Sequence, residues 1–362
     1  MALGVFSNRD RHLFWPIRAS AVTVYWMRGW FGHFRIERQV GRGGLGAVYR
    51  AVDARSNATV ALKLLPPNGD PLAEVRLNRE FAALRSLSHP NVVRVLDAGA
   101  VDDTLFLEME FVEGMPLREW LSICSQPTML EPDEGPRASE GVDLDALFDD
   151  EPDSGALLSA ARARRGLLHG DEVVALDALE QAAMNHPARM SALCEALAQV
   201  CDGLHLVHQE GLVHRDVKPS NILVTPSRRA ILVDFGLVKT REEEQITDAG
   251  RVVGTYRYMA PEQAKGEPVD QRSDLYSLGA TLYELLAGRP PFTQDSQMRL
   301  LEAVVLAKPL PIARINPGAP KTLCALAEQL LAKMPGDRPG DASEVALMLR
   351  AVGRNLERMA YA

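Results

Sequence analysis

The segment HRDVKPSN, residues 214–221, sets an acid, a cation and an amide between two apolar runs. Asp216, Lys218 and Asn221 lie within five residues of one another. The apolar flanks and the central proline predict a short loop held between buried segments. One interpretation is a solvated turn, since Asp, Asn and Pro favour turns for backbone reasons alone. The other is a site that binds a metal ion and a phosphate group, and the rest of the chain has to decide between the two.

A second candidate phosphate site is the glycine-rich stretch IERQVGRGGLGAVYRAVD, 36–53. Gly41, Gly43 and Gly46 fit the spacing G-x-G-x-x-G, which is a weak signal by itself. A dinucleotide-binding site would open a helix after the third glycine, but β-prone residues follow here. We therefore predict strand, glycine turn and strand, with backbone N–H groups open to phosphate. The P-loop pattern G-x-x-x-x-G-K-[ST] is absent from the sequence.

A lysine at the end of an apolar strand could place a cation near that turn. Val60-Ala61-Leu62-Lys63 follows the glycines by fourteen residues. A lysine in this setting usually extends its amine into water, but on a buried strand it needs a carboxylate partner. The helix predicted over 77–89 offers Glu80 beside its apolar stripe. A Lys63–Glu80 ion pair would position the ammonium for phosphate oxygens.

Composition limits the classes of protein to consider. The chain has 362 residues, 46% of them hydrophobic, which is enough for one large core or two lobes. A net charge of −8 argues against a nucleic-acid-binding surface. The four cysteines show no metal-ligand spacing, so we expect buried thiols in a reducing compartment. No apolar run reaches the length of a membrane span, and we expect a cytoplasmic protein.

Five motifs occur in one order along the chain: G-x-G-x-x-G-x-V (Gly41 to Val48), V-A-L-K (Val60 to Lys63), H-R-D-x-K-x-x-N (His214 to Asn221), D-F-G (Asp234 to Gly236) and A-P-E (Ala260 to Glu262). This order resembles the signature set of protein kinases, and the chain looks most like the eukaryotic-like Ser/Thr kinases of bacteria. The resemblance covers roughly 33–350. It implies an α+β, bilobal fold with a small antiparallel β-sheet N-lobe containing one key helix, and a larger, mostly helical C-lobe.

The resemblance implies that ATP lies between the lobes and is a substrate. The residues expected to contact it are Gly41, Gly43, Gly46, Val48, Ala61, Lys63, Met109, Glu110, Val112 and Leu223. Among these, MEFVEG, 109–114, resembles the hinge, with Met109 as gatekeeper. Lys63 is expected on the α- and β-phosphates, with Glu80 holding it in place.

The catalytic roles carry over in the same way. Asp216 would accept or orient the proton of the substrate hydroxyl, and Lys218 would lie near the γ-phosphate. Asn221 and Asp234 would hold two Mg²⁺ ions, with Mn²⁺ as an alternative metal. Phosphoryl transfer depends mainly on positioning and electrostatics, so three such groups on one loop favour the phosphate site over a plain turn.

The segment from Asp234 to Glu262 resembles the regulatory loop of these kinases. Arg215 directly precedes the predicted base, and kinases with that arginine are commonly controlled by phosphorylation of this loop. Thr247 is the first candidate phosphosite and Thr240 the second. Thr255 is expected to shape the substrate pocket instead. The alternative, that these threonines are solvated polar residues, stays open.

Two further residues resemble structural parts of the family. Asp274 lies in a helix predicted over 273–288, which starts at a Ser/Asp cap and ends at Gly288. It is expected to brace the backbone of the catalytic loop. Arg338 is expected to pair with Glu262.

One region departs from the family pattern. The helices predicted at 117–123 and 191–211 are separated by far more residues than usual. The block 131–153 holds ten acids against one base and reads as a solvated, partly disordered insert. Beyond it, a helix opened by Asp171 is a further prediction. Recruitment of basic substrates by the insert is the alternative to a plain spacer.

The resulting domain prediction has five parts: 1–32 as an extension of unknown role, 33–112 as N-lobe, 113–350 as C-lobe, 124–190 as an acidic insertion within it, and 351–362 as a tail. The predicted function is transfer of the γ-phosphate of Mg-ATP to Ser or Thr of protein substrates, with autophosphorylation of the loop. A regulatory partner or a transient dimer is part of this expectation. The alternatives are a pseudokinase scaffold and, disfavoured by the complete glycine loop, a small-molecule kinase.

Overall fold

The computed structural model of the chain describes residues 29–43, 46–65, 81, 84–102, 104–124, 175–235 and 256–360. Its first part is a six-stranded sheet in the order β1-β2-β3-β4-β6-β5, with every neighbouring pair antiparallel. The strands are β1 Trp30–Phe31, β2 Phe34–Gly43, β3 Gly46–Asp53, β4 Ala58–Leu65, β5 Val95–Val101 and β6 Thr104–Glu110. This sheet is the predicted N-lobe.

The sheet begins three residues ahead of the predicted boundary at residue 33. β1 pairs with β2, and Phe31 is buried with its ring 6.0 Å from that of Phe106 in an edge-on contact. Burial of an aromatic ring is a large apolar contribution. The residues just before 33 therefore belong to the small lobe rather than to an extension.

Period-two alternation in β4 explains how one strand serves both the core and the cleft. Val60, Leu62 and Leu64 are buried on one face, in a cluster with Phe34 and other apolar residues of the sheet. The intervening Ala61 and Lys63 point to the opposite face. A one-residue shift in register would exchange the two sets, so the alternation fixes the side on which Lys63 lies.

The second part of the chain is mostly helical. Its helices are α1 Leu117–Ile123, α2 Ala178–Met184, α3 Pro187–Gln209, α4 Pro261–Ala264, α5 Gln271–Ala287, α6 Gln297–Leu306, α7 Ile312–Ile315, α8 Lys321–Leu330 and α9 Ala342–Ala360. The same part of the chain contains a three-stranded sheet, β7 Met115–Pro116, β8 Ile222–Val224 and β9 Ala230–Leu232. The two parts together confirm the predicted α+β, bilobal fold. None of the helices in the described ranges is long and apolar enough to cross a membrane.

A loop after the small-lobe helix joins the two parts. Phe81, Leu84 and Arg85 have helical backbone, in line with the helix predicted there. Beyond them, the N–H of Val93 donates to the carbonyl of Leu232 at 2.9 Å, and the N–H of Leu232 donates to the carbonyl of Asn91 at 2.9 Å.

The Asn91 side chain adds a third link, since its Nδ2 donates to the Ala230 carbonyl at 2.7 Å. Its partner strand β9 belongs to the large-lobe sheet. This part of the N-lobe is therefore hydrogen-bonded to the C-lobe and not only packed on it.

Two helices start earlier than the sequence predicted. α3 begins at Pro187 rather than at residue 191, because a proline fits the first helical turn, where its missing N–H has no partner to lose. α5 begins at Gln271, and its cap is Asp270, whose side chain accepts from the N–H of Arg272 at 2.9 Å. The C-terminal prediction is confirmed: Gly288 ends α5 with φ 71°.

The end of the predicted insertion is folded into the large lobe. Asp177 opens α2 through a capping box with Glu180, in which each side chain bonds the other's backbone N–H. Leu176 and Met184 are buried in the core of the large lobe. Asp171, the predicted start of this helix, and the acidic block lie outside the described residues.

The last helix runs through the segment predicted as a tail. α9 lies along α3, and two side-chain pairs join the two helices: Ser191 with Glu357, and Asp202 with Arg350. A third pair, His205 with Asp341, forms just before α9 begins. Leu349 is buried between them. The apolar stripe of the helix does not stop at residue 350, so the helix does not either.

The predicted burial of the cysteines is confirmed for two of the four. Cys194 and Cys201 are buried on α3, Cys124 and Cys324 are half-buried, and all four are free thiols. Burial raises the pKa of the Cys194 thiol to about 12. These are inert thiols in an apolar setting.

The predicted pair of Glu262 and Arg338 is present and buried. Arg338 donates from Nη1 and Nη2 to the two carboxylate oxygens at 2.7 and 2.8 Å, and Ser273 donates to the same carboxylate. Only 4% of Glu262 and 5% of Arg338 is exposed. Burial acts to raise the pKa of Glu262, but the hydrogen bonds from Arg338 and Ser273 outweigh it and hold the pKa below its usual value.

Replacing Gly203 by alanine should destabilise the fold. A Cβ at Gly203 would lie 2.9 Å from the carbonyl oxygen of Asn91 and 2.9 Å from a Val92 methyl. Elsewhere in a helix this change stabilises by about 1 kcal/mol, but here we expect a loss of about 1–3 kcal/mol from overpacking. Chemical denaturation measures the free energy of unfolding. Gly340→Ala, where a Cβ meets nothing within 4 Å, is the control; equal stability of the two variants would contradict the prediction.

Arg338→Met should cost about 3–5 kcal/mol at pH 7, because it leaves the Glu262 carboxylate buried without its partner. Since the folded-state pKa of Glu262 is lowered, its contribution is present above the unfolded pKa of about 4.3 and is lost as the pH falls through the folded value. The gap between wild type and variant should therefore narrow below about pH 4. Urea denaturation from pH 3 to 7 tests this, with the exposed Arg354→Met as control. A gap independent of pH would contradict it.

Candidate active site

A fully buried carboxylate sets the shape of the loop 214–221. The oxygens of Asp274 accept the backbone N–H of His214 at 2.8 Å and that of Arg215 at 2.7 Å. Arg215 has φ 66°, a left-handed conformation that costs energy for a non-glycine residue. The two hydrogen bonds hold the chain in this conformation, as the resemblance implied for Asp274.

His208 is a supporting residue that the sequence analysis did not single out. Its Nε2 lies 2.8 Å from Oδ2 of Asp274, and its side chain is 7% exposed. It occupies the last turn of α3, six residues before His214. The helical spacing marked it only as one polar residue on a buried helix, and its partner lies 66 residues away.

The side chains of Lys218 and Asn221 both bind one carboxylate oxygen of Asp216. Lys218 Nζ donates to Oδ2 of Asp216 at 2.7 Å, and Asn221 Nδ2 donates to the same oxygen at 2.9 Å. Asn221 Nδ2 also reaches the Asp216 backbone carbonyl at 2.9 Å. The carboxylate is thus held in a fixed direction by a cation and an amide, an arrangement that a solvated turn does not need.

The small sheet brings Asp234 beside this loop. β8 follows Asn221 directly and pairs with β9, and the N–H of Val233 donates to the Asn221 carbonyl at 2.8 Å. Asp234 comes next and has φ 63°. A left-handed conformation here turns the chain out of the strand direction. Asn221, just before β8, and Asp234, after β9, therefore bring two oxygen-bearing side chains to the same end of this antiparallel strand pair.

Lys63 contacts this group from the other lobe. Its Nζ forms an ion pair with Oδ1 of Asp234, and 6% of the residue is exposed. The predicted partner Glu80 lies outside the described residues. The contact with Asp234 was not predicted, because 171 positions separate the two residues in sequence.

An aromatic contact ties the residue after Asp234 to the catalytic loop. The ring of Phe235 lies 4.5 Å from the ring of His214. Phe235 is buried in a cluster that also contains Leu84 of the small-lobe helix and Met109 of β6. The orientation of Asp234 is therefore coupled to the packing between the lobes. Gly236, the last residue of this motif, lies outside the described residues.

The glycine turn has the predicted strand–turn–strand form. Gly43 pairs with Gly46, and Gly41 pairs with Val48, between β2 and β3. Gly46 has φ 126°, and a Cβ there would lie 2.0 Å from the Leu64 carbonyl oxygen. No other residue fits that position. Gly43 and Gly46, which flank the turn, lie at the end of the sheet nearest Lys63, since Val48 pairs with Lys63 across β3 and β4.

The remaining nucleotide-contact candidates line the two sides of the cleft. Ala61 pairs with Met109 across β4 and β6, and Met109 is buried. Glu110 ends β6, and its N–H donates to the Arg94 carbonyl at 3.0 Å. Val112 is half-buried in the segment that follows.

On the C-lobe side the candidate Leu223 lies on β8, half-buried, and pairs with Pro116 of β7. The connecting segment comes very close to this strand. A Cβ at Gly114 would lie 2.9 Å from the Val224 carbonyl oxygen. The missing side chain thus lets the segment between the lobes cross directly over β8.

Oxygen ligands of the kind that Mg²⁺ prefers are present, but few. Because the Asn221 amide nitrogen donates to Asp216, its amide oxygen is the atom that can face a cation beside Asp234. Within the described part of the chain, no group of three or more His, Cys, Asp or Glu side chains could hold a metal ion. The residues therefore fit Mg²⁺ that keeps several other oxygen ligands, such as water and phosphate.

The candidate phosphosites Thr240, Thr247 and Thr255 lie outside the described residues. After that segment, Tyr258 donates to the carboxylate of Glu284 on α5, and Arg118 at the start of α1 forms an ion pair with the same carboxylate. The sequence analysis did not find this group. Its members come from three separate elements, so no local spacing marks them.

Comparison with known proteins agrees with this arrangement. The sequence model of the family described as protein tyrosine and serine/threonine kinase matches residues 34–346. The chain is 33% identical over 320 residues to the serine/threonine-protein kinase PknH of Mycobacterium bovis, which covers 88% of this chain and 43% of that protein. Against the serine/threonine-protein kinase PknD of Mycobacterium tuberculosis the identity is 31%, covering 88% of this chain and 39% of that protein. The chain thus spans about two-fifths of the length of these relatives.

The fold has solved counterparts. The crystal structure of the PknI kinase domain of Mycobacterium tuberculosis matches with a TM-score of 0.57 and 24% identity, covering 92% of this chain and 98% of that chain. This likeness concerns the fold, and it agrees with the two-lobe architecture described above. The chain therefore belongs to the protein tyrosine and serine/threonine kinase family, and its bacterial relatives confirm the resemblance carried by the five motifs.

Proposed function

We propose that this chain transfers the γ-phosphate of Mg-ATP to serine or threonine hydroxyls of protein substrates and phosphorylates its own loop. The observation that supports this most directly is the group formed by Asp216, Lys218 and Asn221, with Asp234 and Lys63 across the cleft. These five side chains are of the kinds that phosphoryl transfer uses, and each contacts another member of the group.

In this proposal Asp216 accepts the proton of the attacking hydroxyl. The carboxylate is oriented by Lys218 and by the Asn221 amide, so it has little freedom to turn away from an incoming hydroxyl. Lys218 lies close enough to Asp216 to place a positive charge where the transferred phosphoryl group gains negative charge. The benefit comes from positioning before the reaction begins.

Lys63 and Asp234 prepare the opposite side of the cleft. Only 7% of the Lys63 side chain is exposed, whereas 34% of the Asp234 side chain is, so the ammonium is largely shielded from water and could exchange Asp234 for phosphate oxygens. When bound beside Asn221 and Asp234, Mg²⁺ supplies positive charge that offsets the charge on the phosphates. Gly43 and Gly46, which flank the turn, carry no side chain, and backbone N–H groups of the turn would bind those phosphates.

The alternative, an ATP-binding scaffold without turnover, predicts that at least one of these groups is unable to act. All four residues that turnover requires are present at the expected motif positions: Lys63, Asp216, Asn221 and Asp234. We therefore favour turnover, and leave the scaffold as one outcome of the experiment that follows.

Asp216→Asn should lower kcat by about 100-fold or more, because it removes the proton acceptor while keeping the shape of the side chain. The measurement is transfer of labelled phosphate from Mg-ATP to a generic basic protein. Asp295→Asn is a matched control on an exposed residue, and its rate should equal that of wild type. A wild type that binds ATP but transfers no label, with Asp216→Asn behaving alike, would establish the scaffold instead.

Autophosphorylation should occur on the loop between residues 240 and 255, first at Thr247 and then at Thr240. Arg215 is exposed beside Asp216 and would pair with the new phosphate. Mass spectrometry after incubation with Mg-ATP measures the sites. The Asp216→Asn variant incubated alone should stay unmodified; label confined to residues 124–190 of the wild type would count against the prediction.

A further inference from the structure

A basic side chain on β3 reaches the segment that connects the lobes. The guanidinium carbon of Arg50 lies 5.3 Å from the centre of the Phe111 ring. Phe111 is the first residue after β6, at the start of the connecting segment. A cation within about 6 Å of a ring face is attracted to it. The contact therefore joins the strand that leaves the glycine turn to the segment expected to hold the adenine.

The register of β3, β4 and β6 explains how the Arg50 side chain reaches Phe111. Arg50 pairs with Ala61 on β4, and Ala61 pairs in turn with Met109 on β6. Residues directly opposite in adjacent strands point to the same face of a sheet. Two strand spacings, about 10 Å, separate β3 from β6. The small Ala61 between them gives the arginine side chain a path across β4 towards Phe111.

A carboxylate on β2 completes the arrangement. Arg50 Nη1 donates to Oε2 of Glu37, and the side chains are 32% and 22% exposed. Glu37 also accepts from Arg35, at 3.2 Å, but Arg35 is 52% exposed and lies farther from the cleft along the strand. Arg50 itself belongs to β3, and its guanidinium binds Glu37 on β2 and also contacts the Phe111 ring. One residue therefore links both strands of the glycine turn to the connecting segment.

We infer that Arg50 is a positioning residue that holds the glycine-turn strands against the connecting segment at Phe111 and so slows release of the nucleotide. This inference rests on the proposed function, since it needs ATP to bind between these strands and that segment. Arg50 acts on the nucleotide through β2 and β3, and a direct contact with it is not required. The interaction crosses the open edge of the cleft, so its loss lets the strands move outward.

The experiment compares Arg50→Met, Phe111→Leu and the double variant. Arg50→Met keeps the length of the side chain and removes its charge, and Phe111→Leu keeps an apolar residue and removes the ring. Each should raise the KM for ATP and the dissociation rate of a fluorescent ATP analogue by about two- to fivefold. The KM for a substrate peptide should stay the same, and kcat should not fall. A merely structural role would lower kcat and raise both KM values together.

The double variant separates a shared contact from two independent effects. If Arg50 and Phe111 act through each other, the double variant should be no weaker for ATP than either single one. Arg50→Lys keeps a cation on the same strand and should recover part of the loss. Multiplied effects in the double variant would overturn the inference.

Arg35→Met is the matched control, because it also breaks a hydrogen bond to Glu37 but lacks the ring contact. It should leave the KM for ATP unchanged. If wild type binds ATP and Arg50→Met matches Arg35→Met, the inference alone is overturned. If wild type binds no ATP, the proposed function fails and the inference with it. Should Arg50→Met unfold, shown by thermal denaturation, Phe111→Leu provides the same test.

Discussion

The geometry of this site depends on one buried carboxylate. Asp274 is fully buried and accepts two backbone N–H groups of the catalytic loop, with His208 as its third neighbour. Burying a charge is costly unless hydrogen bonds compensate for it, and here the compensating donors are the backbone atoms whose position matters. The same contact that makes the charge tolerable in the core also fixes the left-handed turn at Arg215. Everything downstream follows from that turn within a few residues: the direction of Asp216, the short helical turn that carries Asn221, and the entry into β8.

The two lobes are joined by contacts of two different kinds. At the rear, backbone hydrogen bonds between residues 91–93 and Leu232 form a fixed connection, and Gly203 on α3 leaves the space for it. At the front, the Lys63–Asp234 ion pair joins side chains that a nucleotide and a cation can each compete for. The backbone hydrogen bonds at the rear cannot exchange partners, whereas the ion pair at the front can. The cleft can therefore open at the front while the rear contact keeps the two lobes in register. This division also explains why the rear contact uses main-chain atoms and the front contact uses charged side chains.

Much of the site could be predicted from the sequence because its parts are local. Asp216, Lys218 and Asn221 share one loop, and the alternation in β4 alone determined the side on which Lys63 lies. The helix starts were harder to place, because the apolar pattern does not contain their signals: Pro187 fits the first turn of α3, and the side chain of Asp270 caps α5 by accepting the N–H of Arg272. The contacts made by His208 and by Arg50 escaped prediction for another reason. Each joins residues far apart in sequence, so only the fold creates the proximity, and neither residue type is unusual at its own position.

The charges of the described side chains indicate which ligands would have to bind to the site together. Lys63 and Lys218 contribute two positive charges, and Asp216 and Asp234 contribute two negative ones, so the described group is neutral as it stands. Phosphate groups alone would add several negative charges beside Lys63, which is only 6% exposed. Metal ions alone would draw Asp234 away and leave Lys63 without its carboxylate partner. Either ligand by itself would leave one charge of the Lys63–Asp234 pair without its partner, and the cost would be larger for Lys63, which is the more buried of the two. Under the proposed function, a phosphate group and a divalent cation that bind together would restore the balance, because Lys63 would pair with phosphate oxygens and the Asp234 carboxylate would be free to hold the metal ion. Under the proposed function, the one described ion pair between the lobes, Lys63–Asp234, would therefore favour the metal–nucleotide complex over either component.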